Sequence, residues 1–325
     1  MISRLMRRNI FLVGLFVLMN SAWQSQAQTW PTKPVRIISG LGAGSSMDLV
    51  ARTIAPKLAE IWGQSVVIEN RGGGGTIIGT QYVSQAPADG YTILVTAPNF
   101  TTSEALYDKL TWRFDDFIPV IHLVRYANVL VASPDSKMAS VPDMVSRAKA
   151  APGMMTYGSA GTGSNSHLAM ELLKQRVGIN PEHVPYKGSG PLKTDLLGNH
   201  LLLGVDGLGG MIELIKTGQV KALAVLAPRR TPLWPDVPSL GDFGINDVDG
   251  NGWYGALLPA GTPAAVVTKL HSAFAAALAM PEMRERLTAM GVEPVGGSSE
   301  SFRTYLLGER RKWADVISTA KIKVN

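Results

Sequence analysis

An α/β protein of two lobes is the architecture this sequence predicts, and three observations lead to it. Short apolar runs alternate with amphipathic stretches along the chain. The 325 residues exceed what one compact core ordinarily uses. The alternation also comes in two series, one beginning at Val35 and the other near Asn128.

The chain opens on Arg4, Arg7 and Arg8, then an apolar stretch from Ile10 to Met19, then the small residues Ser25 and Ala27. That order is the pattern of a secretion signal, with cleavage expected after Ala27 and the processed chain expected in the periplasm. A membrane anchor fits less well. The apolar stretch is short of the ~20 residues that span hydrocarbon, and Asn20, Ser21, Gln24 and Gln26 follow it at once. No later segment is long and apolar enough to cross a bilayer.

In the first series, Val35–Ser39 reads as a buried strand and Asp48–Trp62 as a helix, followed by strands at Val66–Glu69 and Thr92–Thr96. Pro56 lies inside that helix, where it should kink the helix or mark a tight first turn. The second series gives a strand at Val129–Ala132, a helix at Val141–Ala150, a strand at Met154–Tyr157 and a helix from about Ser164. Strands at His183–Tyr186, Leu201–Val205 and Ala222–Leu226 continue it. From Trp253 the chain is expected to return to the first lobe and finish with helices at Pro263–Ala279, Glu282–Met290 and Ser299–Thr319. The expected division is therefore residues 28–125 with 254–325 in one lobe and 126–253 in the other. Two crossing strands, near Leu123–Val129 and Asn251–Leu257, would join the lobes beside a ligand cleft.

Charge and composition narrow the partners. The formal net charge is +6, and removal of residues 1–27 takes away three arginines and no acids, leaving 6 − 3 = +3. A mild positive balance suits anions. No Lys/Arg cluster interleaved with aromatics argues for nucleic acid. The absence of cysteine excludes disulfides, thiolate metal sites, a cysteine nucleophile and a lipid-modified amino-terminal cysteine.

Two segments share one design. Strand Val35–Ser39 runs into GLGAGSSMD (Gly40–Asp48), and strand Met154–Tyr157 runs into GSAGTGSNSH (Gly158–His167); each is followed by a helix. Such a loop gathers unpaired backbone N–H groups at the positive end of a helix dipole, which makes an anion site. Glycine lets the backbone turn with positive φ and come close to a ligand. Ala43, Gly44, Ser45 and Ser46 are the candidates in the first loop. Ser159, Gly161, Thr162, Gly163, Ser164, Asn165 and His167 are those in the second, with Ser159, Thr162, Ser164 and Asn165 as side-chain donors. Asp48 would repel a free carboxylate and is assigned to shaping its loop, or to acting through water. Asp206 is the acidic residue expected at the cleft edge, and Asn99 a neutral candidate. The run Gly72–Gly75 is expected to be a flexible hinge-side loop rather than a phosphate cradle. Each charge-assisted bond to a carboxylate contributes about 1.5–3 kcal/mol. Three or four of them, less the cost of immobilising the ligand, reach the roughly −8 kcal/mol of micromolar affinity. Either loop alone could be an ordinary turn between strand and helix.

Rival chemistries meet obstacles in the residues. Gly40, Gly42 and Gly44 with Glu69 suggest a dinucleotide site, but Ser45 stands where that fingerprint wants glycine or alanine. Ser159 or Ser164 with His167 and Asp206 could be drawn as a hydrolytic triad, yet the chain has no GxSxG elbow. The five histidines, His122, His167, His183, His200 and His271, have no helical metal-ligand spacing. No metal or cofactor is expected.

An ordered set of segments then carries a family resemblance: AGSSMDLVAR (Ala43–Arg52), VVIENRGGGG (Val66–Gly75), ADGYTIL (Ala88–Leu94), YGSAGTGSNSHLA (Tyr157–Ala169), HVPYKGSGP (His183–Pro191), DLLG (Asp195–Gly198), VKALAV (Val220–Val225), WPDVPSL (Trp234–Leu240) and LLPAGTP (Leu257–Pro263). From about Trp30 onward the chain resembles the extracytoplasmic solute-binding proteins of tripartite tricarboxylate transporters, the Bug family. The resemblance implies a type II periplasmic binding-protein fold that closes as a Venus flytrap. It also implies a monomeric receptor that hands a small carboxylate, a di- or tricarboxylate or an aromatic acid, to membrane permease subunits. On that basis Gly44–Asp48 and Ser159–His167 hold one ligand carboxylate. Ser45 replaces a usual glycine and Gly72 a common proline. Leu201–Gly204 are more apolar than usual, and GLGG after Asp206 is less bulky, changes that suit an aromatic or monocarboxylic ligand over citrate.

Overall fold

The computed structural model describes residues 30–324, so the expected secretion signal at 1–27 lies outside the described residues. The chain forms two mixed sheets flanked by helices. The first has six strands in the order β11-β4-β10-β3-β1-β2: β1 (Val35–Ser39), β2 (Val66–Asn70), β3 (Thr92–Thr96), β4 (Phe117–Tyr126), β10 (Gly252–Pro259) and β11 (Glu293–Gly296). The second has five in the order β7-β6-β8-β5-β9: β5 (Asn128–Ala132), β6 (Thr156–Ser159), β7 (Glu182–Pro185), β8 (Leu203–Gly207) and β9 (Lys221–Val225). In each sheet a parallel core (β2-β1-β3 and β7-β6-β8) is bordered by antiparallel strands. This is the two-lobed α/β arrangement that the alternation predicts.

Helices α1 (Ser46–Trp62), α2 (Ile77–Ser84) and α3 (Asn99–Leu106) follow β1, β2 and β3. Helices α4 (Val141–Ala150), α5 (Asn165–Val177), α6 (Ser189–Leu197) and α7 (Leu208–Lys216) follow β5, β6, β7 and β8, and α8 (Ala264–Ala279), α9 (Pro281–Ala289) and α10 (Ser299–Ala320) complete the chain. Pro56 does not end α1, which continues through it. The proline is exposed, so the carbonyl it leaves unpaired can meet water. The buried stripe Met47, Val50, Ala51, Ile54, Ala55 and Leu58 anchors both halves against the sheet.

The lobes meet at two crossings. The outward crossing takes a single residue, Ala127, between β4 and β5. The return was expected as a crossing strand over Asn251–Leu257; instead β10 lies wholly in the six-stranded sheet, and the crossing is complete before Gly252. Pairing explains this. Gly252 is level with Tyr126, so β10 starts its ladder against β4 immediately. Away from the hinge, an apolar cluster of Leu106, Leu168, Trp313, Val316, Ile317 and Ile322 joins α3, α5 and α10 across the two halves.

Glycine is required at the return crossing. A Cβ at Gly252 would lie 2.0 Å from Tyr126 Cζ, and the Tyr126 ring is held against Tyr254 at 5.1 Å. Gly252→Ala is therefore expected to destabilise the protein by about 1–3 kcal/mol through overpacking. Urea denaturation checks this, and an unchanged midpoint would mean that the crossing is not tightly packed.

Candidate functional site

Parallel strands that end at one edge of a sheet deliver their following loops to that edge. Here β1, β3, β6 and β8 deliver Leu41–Ser46, Ala97–Asn99, Ala160–Asn165 and Asp206–Gly207 to one cavity of ≈ 790 Å³ between the sheets.

The two glycine loops are built by the same bonds. In the first, Ser45 caps α1: its Oγ accepts from Asp48 N at 3.2 Å, Ser45 N donates to Gly42 O, and Gly44 takes φ +78. Asp48 Oδ2 then accepts from Gly44 N at 2.9 Å. In the second, Ser164 caps α5: its Oγ accepts from His167 N at 3.3 Å, Ser164 N donates to Gly161 O, and Gly163 takes φ +74. His167 Nδ1 accepts from Gly163 N at 3.0 Å. The spacing G-x-G-S-x-x-Asp/His thus occurs twice, at Gly42–Asp48 and Gly161–His167. It is the local signal that ties loop shape to sequence. Each serine satisfies one amide of its helix start, and the first amides of α1 (Ser46) and α5 (Asn165) have no acceptor among the described residues.

Of the residues the sequence singled out, Gly44, Ser45, Ser46, Asn99, Gly161, Thr162, Gly163, Ser164, Asn165 and Asp206 line this cavity. Ala43, Asp48, Ser159 and His167 do not. Ala43 is exposed outside the cleft. Asp48 is buried behind its loop, where it also accepts from Arg52 and from Asn70 Nδ2. Burial pushes its carboxyl up, but the bonds from Arg52, Gly44 and Asn70 prevail and hold it below the usual range. Ser159 is fully buried with its Oγ 2.7 Å from His183 Nε2. His167 is buried too, its ring stacked on His183 at 3.7 Å, and it acts on the cleft only through Gly163. The run Gly72–Gly75 is not hinge-side: it abuts the first loop, where a Cβ on Gly72 would lie 2.8 Å from Gly42 N, and Gly74 and Gly75 line the cleft.

The imagined triad is not assembled. His167 Nδ1 is occupied by the Gly163 amide and its Nε2 lies 3.8 Å from Glu171, while Ser164 Oγ contacts Ser166.

Several cleft residues went unseen in the sequence. Tyr126 and Tyr254 come from the hinge strands, Asn128 from β5, and Ser189 and Lys193 from α6. Burial drives the phenols of Tyr126 and Tyr254 well above their ordinary values, so both remain hydrogen-bond donors. Asn128 Nδ2 donates to Gly250 O at 2.8 Å and to Asn165 Oδ1. That fixes the Asn165 amide with its oxygen used, and leaves Asn165 Nδ2 buried without a partner among the described residues. A buried donor of this kind costs about 1–3 kcal/mol until an acceptor arrives.

Known proteins share the sequence and the fold. The family model described as "Tripartite tricarboxylate transporter family receptor" matches residues 50–322. The chain is 31% identical to protein BugT of Bordetella pertussis over 98% of this chain and 99% of that protein. Among solved structures it is similar to R. palustris Rpa4515 with adipate (34% identity, 91% of this chain and 100% of that one, TM-score 0.80). It is also similar to MatC of Rhodopseudomonas palustris with bound malate (28% identity, 89% and 100%, TM-score 0.76).

The stacked histidines make stability depend on pH. Burial lowers His167 to about 4, and burial followed by the neighbouring His167 lowers His183 to about 3; burial also lowers His122 to about 4. The unfolded chain, with histidines near 6.5, therefore takes protons first. The contribution is complete above about pH 6.5 and is lost as pH falls towards the folded values. Urea midpoints are expected to drop between pH 7 and pH 4.5, and to drop less in His183→Phe. Equal midpoints at both pH values would contradict the assignment.

Proposed function

This chain belongs to the tripartite tricarboxylate transporter receptor family, and from that premise we propose that it is a periplasmic receptor that captures a small carboxylate and delivers it to membrane permease subunits. The observation that carries the reading is the Asn165 Nδ2 donor, which with the first amides of two capped helix starts has no acceptor among the described residues. A carboxylate supplies acceptors on two oxygens and is favoured by both helix dipoles. Gly44–Ser46 and Gly161–Asn165 hold it from opposite sides. Asp48 and His167 are positioning residues that keep Gly44 and Gly163 in their left-handed turns.

The division falls at the two crossings, so residues 30–126 with 252–324 form one lobe and 128–251 the other, and closure is favoured because only the closed state makes both sets of contacts. Rpa4515 with adipate and MatC with malate support a ligand of this chemical class. The protein works as a monomer, without a cofactor, and turns nothing over.

Thermal unfolding with a panel of carboxylates tests this. A ligand at a hundred times its Kd stabilises the folded state by about 2.7 kcal/mol, which raises the melting temperature by several degrees. Gly163→Val should abolish that rise, because the position needs φ +74 and a Cβ there would lie 2.9 Å from Leu106 Cδ1. Substrate consumption by the wild type, or an undiminished rise in Gly163→Val with a folded protein, would overturn the reading.

A further inference from the structure

A short tail follows α10, and it makes contacts of its own. Lys321 takes φ +52 and stops the helix, and Ile322 N donates back to Ile317 O at 3.0 Å. The backbone then meets α3, where Val324 N donates to Leu106 O at 3.3 Å. Ile322 is 9% exposed and belongs to the apolar cluster of Leu106, Leu168, Trp313, Val316 and Ile317. Lys323 pairs with Asp108 at 3.4 Å, but both side chains are exposed and such a pair contributes little. Apolar packing holds the tail.

These contacts join the two lobes. Leu106, α10 and the tail belong to the first, whereas Leu168 and Gly163 belong to the second. A Cβ on Gly163 would lie 2.9 Å from Leu106 Cδ1 and 3.2 Å from Val324 Cγ2. Both side chains therefore rest on the bare backbone of the second glycine loop, at the residue whose amide donates to His167. Leu106, Tyr107 and Gly163 line the cleft, and Val324, which does not, backs that part of its wall. On the other side of this corner Tyr107 Oη donates to Gly74 O at 3.5 Å, in the glycine run that abuts the first loop. One corner of α3 and the tail thus touches the surroundings of both loops.

The corner also lies away from the return crossing. Lys312 Nζ donates to Asp249 O beside that crossing, and α10 runs on for about 12 Å before it ends at Ala320. A rotation of the lobes about their crossings moves points far from the crossings most, so opening separates the tail from Gly163 and Leu168 and exposes apolar surface to water.

Resting on the receptor reading, we propose that Ile322–Val324 is a strap that packs on the second lobe only when the lobes are together, and so slows release of the bound ligand. Entry takes place before the strap engages, and association does not depend on it. Departure requires its contacts to break.

The test is stopped-flow binding of malate, adipate, citrate and benzoate to the wild type and to Ile322→Ala and Val324→Ala. For each acid that the wild type binds, koff is expected to rise about tenfold or more in Ile322→Ala and about threefold or more in Val324→Ala, with kon within about twofold of the wild type. Val324 is half-buried, so Val324→Ala decides the matter if Ile322→Ala does not fold. A tail that only packs the fold would lower the ligand-free melting temperature and leave koff unchanged. That result overturns this inference and leaves the carboxylate-receptor reading standing. A fall in kon with koff unchanged overturns it as well, because the tail would then shape the entrance. If none of these acids, nor any of the wider carboxylate panel, binds the wild type, the receptor reading falls and the strap falls with it.

Discussion

The cleft depends on one repeated local arrangement: a serine that caps a helix, preceded by a left-handed glycine whose amide is held by the residue three places after the serine. Ser45, Gly44 and Asp48 make it at α1; Ser164, Gly163 and His167 make it at α5. These bonds use amides that would otherwise compete for a ligand and fix the direction of those that remain. A helix start organised in this way does not have to be ordered when an anion arrives, so less of the binding free energy is lost to ordering. The two copies differ where one uses a carboxylate and the other an imidazole. The carboxylate is kept ionised by Arg52, Gly44 and Asn70 despite its burial. The imidazole is kept neutral by burial, and it must be neutral to accept from the Gly163 amide.

Behind the second copy stands a buried polar group that the cleft never touches. His167 stacks on His183, His183 contacts Ser159, and Glu171 accepts from Tyr157 and Lys174. Most of its polar atoms are paired, which is how an interior tolerates them. The consequence is positional: the second loop rests on a buried, largely paired base, and among the described residues the chain passes between the halves at Ala127 and again before Gly252. Contacts between the halves, Gln175 Nε2 to Val316 O at 3.1 Å and, beside the return crossing, Lys312 Nζ to Asp249 O at 2.8 Å, hold them in the arrangement seen.

Much of the fold was legible because its strands and long helices carry strong periodicity: β1, β3, α4 and α8 fall within a residue of their expected bounds. The helices α2, α3, α6 and α7 were not, since they are short and begin in or near glycine, proline or threonine, which read as loop. Pro56 misled for a different reason. A helix anchored along a buried stripe keeps its course when the proline faces water. The glycine loops were readable as turns into helix starts because that chemistry is local. Asp48, read both as a ligand-binding candidate and as a residue that shapes its loop, bonds the Gly44 amide and, like Ser159 and His167, is buried and does not line the cavity. Asn128, Tyr126, Tyr254 and Lys193 had no local signal. They reach the cleft only through sheet pairing and the hinge, and a single sequence does not show which strands will lie side by side. The doubled G-x-G-S-x-x spacing was present in the sequence throughout and marks both loops as one device.

The most direct measurement is amide nitrogen–proton NMR of the labelled protein during titration with a bound carboxylate. The account predicts that the amides of Ser46 and Asn165 and the side-chain amide of Asn165 shift together, along one saturation curve, because one carboxylate meets both loops. Movement of only one loop, or of neither while affinity is plain from other data, would contradict it.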